Sequence, residues 1–315
     1  GSFETHLADK RAAGHRQQKS PVRSQGQLPG PIALVQPDPV DDLPARGIND
    51  LARQDTDAFP YVFNEGRANR VYTWFSYCKH IEGPLAGKPI KLLPFQLFDL
   101  GCVFGWVHRE TGYRRFEKVY DQRARKNGKS TELAGVGLYM MAGDGEESPA
   151  VYCAAVDREQ ARIVYRSAKA MAQKSPDIRK RLKIRDYEIG HMTRGGQMRA
   201  LSKDTKNKDG LNPSCGIIDE YHAHPTSEIY DLLWSAWGQR AQALMYIITT
   251  AGFDIEQNPC HKEYEYCKQI VRGLITNRSA ICGSVSPCAT RRSTSISRLV
   301  SWLRRSAPGL FCSAA

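Results

Sequence analysis

The stretch Tyr120-Asp121-Gln122-Arg123-Ala124-Arg125-Lys126-Asn127-Gly128-Lys129-Ser130-Thr131 decides how this chain is read. Residues 116–121 read as a strand entering this turn, and 129–141 read as a helix, closed by Gly143-Asp144-Gly145. A Gly-Lys-Ser turn between a strand and a helix is the context in which a chain cradles phosphate. Amides of the loop and of the helix N-terminus point at the anion, and the helix dipole favours its charge. In that reading Gly128 permits close backbone approach, Lys129 reaches the outer phosphates and the Ser130 hydroxyl holds Mg²⁺. Arg123 stands where the common motif has its first Gly. A Gly-Lys-Ser triplet also opens ordinary helices with a solvated Lys, so the reading needs a second motif.

Cys215-Gly216-Ile217-Ile218-Asp219-Glu220 supplies it: an apolar strand ending in two carboxylates. At the carboxyl edge of a parallel sheet, Asp219 would hold Mg²⁺ and Glu220 would orient and deprotonate an attacking water. A solvated acidic turn is the competing explanation, and the loop 90 residues upstream weighs against it. A third strand, Tyr246-Ile247-Ile248-Thr249-Thr250, ends in two hydroxyls and a small turn. Such a strand either senses the γ-phosphate or is a core strand with Thr at its exit.

Outward from these motifs, strands and helices alternate. Further strands are expected at 150–155, 183–189, 197–201, 214–219 and 243–250, with helices to about 173 after a capping Asp157, at 226–238 and at 259–272. This alternation predicts an α/β fold with a mostly parallel central sheet flanked by helices. Ahead of it, 57–91 is helical in pattern, with Tyr72, Phe75 and Cys78 on one face, and 91–107 is apolar and aromatic. Residues 1–45, rich in Pro, Gln, Gly and Arg, read as a flexible arm. Residues 46–273 form one domain, and 274–315 read as a basic, Ser- and Cys-rich tail, either disordered or a non-native end.

Of the net charge of +12, six come from the Arg residues of 274–315, which contain no Asp or Glu. The remaining excess is modest, so charge alone is even-handed about nucleic acid. No stretch approaches the roughly 18 apolar residues of a membrane span. The N-terminus carries no apolar signal region, so a cytosolic protein is expected. The nine Cys lack metal-knuckle spacing and read as reduced, packed thiols. Cys260, His261 and Cys267 read as helix packing, and His222 and His224, past the end of their strand, as turn and packing residues.

The motifs Arg-Lys-Asn-Gly-Lys-Ser, Ile-Ile-Asp-Glu and Thr-Thr-Ala-Gly, in this order, resemble those of the large terminase subunit of tailed bacteriophages. Gly87-Lys88-Pro89 through Gln96, Leu211-Asn212-Pro213 and Tyr221-His222-Ala223-His224 fit the same family, and the likeness runs over about 57–273. It implies a P-loop ATPase of the DNA-packaging motor, with ATP and Mg²⁺ as ligands. Carried over by position, Gln96 contacts adenine; Arg125, Lys126, Asn127, Gly128, Lys129, Ser130 and Thr131 form the phosphate loop, with Arg125 sensing phosphate in cis. Ser130 and Asp219 hold the metal, Glu220 is the catalytic base, and Thr249 and Thr250 couple hydrolysis to movement. The family's arginine finger falls at Asp209 here, so Arg240 is the substitute candidate. The implied partners are double-stranded phage DNA, the portal protein, the small terminase subunit and further copies in a pentameric ring, in the host cytoplasm. The family's nuclease uses clustered carboxylates, which 274–315 lack, so no nuclease activity is expected in this chain. A helicase-like translocase would need a second motor lobe. An inactive DNA-binding prophage fragment remains the alternative from outside the enzymes.

Overall fold

A computed structural model describes residues 56, 59–156, 158–201, 210–237, 240–250, 257–271, 274–275 and 280–285. The expectations for 1–45, Asp157, Asp209, 251–253 and 286–315 lie outside these residues.

The chain enters through β1 (Tyr61–Phe63) and α1 (Glu65–Tyr77). Asn64 starts α1 because its side chain accepts from the Arg67 amide at 2.9 Å, satisfying an end donor. The helical pattern at 57–91 is thus realised over 13 residues only. The aromatic run after it folds as α2 (Pro94–Gly105) and β2 (Trp106–His108), which returns antiparallel onto β1.

Next come β3 (Lys118–Arg123), α3 (Lys129–Ala142), β4 (Ala150–Ala154), α4 (Arg158–Lys174) and the short α5 (Pro176–Arg179). The expected strand at 183–189 is instead two, β5 (Leu182–Ile184) and β6 (Ile189–His191), joined by a tight turn in which the Arg185 amide donates to the Glu188 carbonyl at 2.9 Å. Then follow β7 (Gly195–Ala200), β8 (Cys215–Asp219), α6 (Glu228–Ser235), β9 (Leu244–Thr249), α7 (Pro259–Val271) and β10 (Ala280–Val285).

Eight strands form one sheet in the order β10-β3-β9-β8-β4-β7-β6-β5. Every neighbour pair from β10 to β7 is parallel, and only the β5–β6–β7 edge is antiparallel. The mostly parallel α/β sheet expected from the sequence is therefore present. Strands β4, β8 and β9 are apolar over nearly their whole length because both faces are covered. Leu244, Tyr246 and Ile248 of β9 join the core under α1, α3 and α4, while Met245 and Ile247 join the core that takes in Cys260, Cys267 and Ile270 of α7. Strand β10 departs from the tail reading of 274–315. The outer edge of β3 presents a row of backbone donors and acceptors, and an extended Ala-Ile-Cys-Gly-Ser-Val run satisfies them.

Cys78, Cys102, Cys153, Cys215, Cys260 and Cys267 are free thiols and buried, as packing residues are. Burial pushes the Cys215 thiol up to about 12 and the thiols of Cys78 and Cys153 further, so they stay protonated. Among the described residues no helix is long and apolar enough to cross a membrane.

Candidate functional site

The three motif strands β3, β9 and β8 are immediate neighbours and run parallel. Their register aligns Asp121 with Ile248 and Ile248 with Asp219, and pairs Gln122 with Thr249. All three motifs therefore leave the sheet at one edge, the carboxyl edge where open α/β sheets bind ligands.

The loop from β3 to α3 depends on left-handed backbone. Gly128 caps α3 at φ 69°, and Lys126 sits at φ 66°. At Gly128 no heavy atom lies within 4 Å of where a Cβ would be, so conformation, not space, selects Gly there. Arg125, Lys126 and Gly128 are exposed on the loop, with Asn127 half-buried between them. Lys129 is buried, and its Nζ donates to the Ala124 carbonyl at 3.3 Å across the base of the loop. Ser130 and Thr131 follow in the first turn.

Ser130 lies close enough to the Asp219 carboxyl to favour its ionised form, which sets the first motif beside the second. Asp219 is buried, and burial pushes its carboxyl up to about 6, with Glu220 adding repulsion. The Glu220 amide, at 2.9 Å from Asp219 Oδ1, and nearby Lys129 oppose the shift. A hydroxyl beside a carboxylate that is short of compensating charge is an oxygen donor set that suits Mg²⁺. Glu220 leaves β8 in a left-handed conformation, φ 49° and ψ 49°, with its side chain 37% exposed at the edge.

His222 lies within this site, which departs from its reading as a turn and packing residue. The 3₁₀ turn Tyr221–Ala223 swings it back so that its Nδ1 is 3.2 Å from Glu220 Oε2 and 3.0 Å from Thr249 Oγ1. Thr250 Oγ1 is 3.4 Å from the same carboxylate oxygen. A His two residues past the acidic pair was the available signal, but a strand period says nothing about a turn that folds back. His224 is buried against Tyr221, at 5.3 Å between ring centres, in keeping with packing.

Two candidate residues are used differently from the sequence reading. The Gln96 amide is committed at both ends: Oε1 accepts from the Leu93 amide at 2.9 Å and Nε2 donates to Glu132 at 2.8 Å. It faces the core beneath the loop, and contact with adenine would require one of these bonds to break. Arg240 lies before β9, at the opposite edge of the sheet. Its guanidinium donates to Asn212 Oδ1 at 3.0 Å, Glu146 Oε1 at 2.8 Å and the carbonyls of Glu147 and Ser148 at 2.9 Å. Most of its donors are used inside the chain, so a trans-acting finger at Arg240 would require these contacts to open.

Arg123, the irregular loop residue, is buried. Its guanidinium bonds Asp121 and Glu132, with the Phe95 ring 5.1 Å away. Tyr246 donates to the same Glu132 at 3.2 Å. This brace was invisible in the sequence because its members come from β3, α2, α3 and β9.

Residues 94–269 match the family described as terminase large subunit, ATPase domain. The chain belongs to that family. Among relatives, the large terminase subunit of Enterobacteria phage HK97 is 29% identical over 198 residues, 58% of this chain and 36% of that protein. Protein YmfN of Escherichia coli K12 is 37% identical over 75 residues, 24% of this chain and 16% of that one. The crystal structure of the HK97 large terminase superposes with a TM-score of 0.58 at 23% identity, over 75% of this chain and 47% of that one, a likeness of fold. The chain thus spans less than half the length of these terminase relatives. In this terminase ATPase domain the matched segment includes β3, the loop, β8, Glu220 and β9.

Proposed function

We propose that this chain is the ATPase portion of a phage DNA-packaging motor, hydrolysing Mg²⁺-ATP to drive double-stranded DNA into a procapsid. The carrying observation is the junction of Ser130 with Asp219 and of Glu220 with Thr250 at one sheet edge. Loop amides and Lys129 bind the β- and γ-phosphates, with Arg125 placed on the exposed loop to neutralise the γ-phosphate. Glu220 orients a water for in-line attack on the γ-phosphorus and accepts its proton as the bond to the ADP oxygen breaks. Ser130 and Asp219 would hold Mg²⁺, which would supply charge neutralisation of the phosphate oxygens. Thr249 and Thr250, bonded to the base region from the end of β9, pass the change at the γ-phosphate to the rest of the sheet.

DNA as the partner is supported by charge. Residues 158–199 carry 12 basic and 4 acidic side chains, a local excess of eight. Arg179, Arg181 and Lys183 are exposed there. Such an excess binds phosphate backbones by releasing counterions. Portal protein, small subunit and a homo-pentameric ring in the host cytoplasm complete the reading. Nuclease activity is assigned elsewhere, and chelator-sensitive DNA cleavage by the purified chain would overturn that part.

The test is DNA-stimulated ATPase in the wild type, Lys129→Ala and Glu220→Gln. Glu220→Gln should bind ATP and lose turnover by about 10²–10⁴-fold, the usual contribution of a general base. Equal, background rates in wild type and Lys129→Ala would favour an inactive DNA-binding chain.

A further inference from the structure

The geometry points to His222 as the residue that positions Glu220 and ties it to the hydroxyls of Thr249 and Thr250. This rests on the ATPase reading of the same site.

The ring is fixed through its backbone from two sides. The His222 amide donates to Thr249 Oγ1 at 3.0 Å, and its carbonyl accepts from Asn258 Nδ2 at 3.0 Å. The turn that carries it is closed by the Ala223 amide on the Glu220 carbonyl at 2.9 Å. Glu220 itself is non-glycine backbone at φ 49°, a conformation that persists where the surroundings enforce it.

The hydrogens can be assigned. Thr249 Oγ1 has one, and it donates it to the Thr250 carbonyl at 3.0 Å. An ionised Glu220 only accepts, so its contact with Nδ1 calls for Nδ1–H, and Thr249, with its hydrogen on the Thr250 carbonyl, accepts from the same group. Nδ1 lies 3.0 Å from Thr249 Oγ1 and 3.2 Å from Glu220 Oε2. Thr250 Oγ1, 3.2 Å from Nδ1, completes the group and sends its own hydrogen to Glu220 Oε2. One shared N–H therefore sets the direction of the carboxylate and joins it to the end of β9. The Glu220 side chain is partly exposed, so without this donor its rotamers are free and the base is aimed only part of the time.

The side-chain variants separate this role from packing. Asn places a donor where Nδ1 sits, Gln where Nε2 sits, and Ala neither. DNA-stimulated ATPase is measured for His222→Ala, His222→Asn and His222→Gln, each with its melting temperature. Expected is a fall in kcat of about tenfold or more for Ala and Gln, a KM for ATP within about twofold of wild type, and substantial recovery in Asn. In a Glu220→Gln background, His222→Ala should add nothing further, because the imidazole acts through that carboxylate. An unchanged kcat in His222→Ala while Lys129→Ala is inactive overturns the assignment. So does an equal loss in Ala, Asn and Gln that tracks falling melting temperatures. Background rates in both wild type and Lys129→Ala instead overturn the ATPase reading, and this inference with it.

Discussion

Arg123, the last residue of β3, grips Glu132 in the first turn of α3 with two hydrogen bonds, Nη1 to Oε2 at 2.6 Å and Nη2 to Oε1 at 2.8 Å. The phosphate loop lies between these residues, so the pair clamps its two ends. The same guanidinium bonds Asp121 and approaches the partly exposed Asp99 at 3.5 Å, so one cation serves three carboxyls. Burial, opposed by Arg123, holds Asp99 well above its ordinary range and Asp121 at about 6.

Replacing Arg123 with Met should therefore destabilise the domain strongly. Removing one partner of a buried ion pair costs about 3–5 kcal/mol, because the other charge is left uncompensated. The sign with pH follows from Asp121. Its folded value lies above the unfolded one, so its contribution is present below about 3.8 and lost as pH rises through about 6. Without Arg123 the carboxyls rise further, and the deficit should deepen with pH. Urea unfolding of both proteins at about pH 5 and pH 8 checks this. An identical difference at the two values would rule the explanation out.

Asp219 gives a second pH prediction. Its carboxyl is raised from 3.8 to about 6 by burial, so below 3.8 the group costs nothing, and above 6 its charge is a burden on the folded state. Two units correspond to about 3 kcal/mol at most. Without Mg²⁺, Asp219→Asn should raise the melting temperature at about pH 8 and leave it unchanged at about pH 4, while abolishing turnover. A melting temperature lowered equally at both values would show that the carboxylate is well compensated.

The sheet and most of the site were legible because strands buried on both faces read as apolar runs, and the functional groups stand where those runs end. The Asp219-Glu220 pair and the Thr249-Thr250 exit needed only the register of three parallel strands to meet. What escaped depends on partners distant in sequence. The β5–β6 hairpin divides a run that looks like one strand, and β10 forms only because β3 has an edge to fill. His222 reaches Glu220 through a fold-back turn, and Gln96 and Arg240 are claimed by Glu132 and Glu146. No local pattern encodes those choices.

For Gln96 the expected consequence is structural. Its two bonds join the start of α2 to the Arg123–Glu132 clamp. Gln96→Ala should lower stability by about 1–3 kcal/mol, since a buried Glu132 oxygen and the Leu93 amide each lose a partner. The preference for ATP over GTP should survive. Competition binding with the two nucleotides decides it, and a lost preference would return Gln96 to the adenine.

Arg240 tests which edge of the sheet does chemistry. Its guanidinium stitches the 146–148 loop to Asn212, at the end of the sheet away from Lys129 and Glu220. Arg240→Ala should cost about 1–3 kcal/mol through the carbonyls and the Glu146 carboxylate it leaves unsatisfied. It should keep kcat near wild type at temperatures where both proteins are folded. An arginine finger behaves otherwise: it touches the transferred phosphoryl group of a neighbouring subunit, and its loss removes about 10³–10⁵ in kcat without affecting folding. Melting temperature and kcat measured on the same preparation separate these outcomes. A collapse of turnover at unchanged stability would mean that the contacts to 146–148 open on assembly and that Arg240 reaches across the subunit interface.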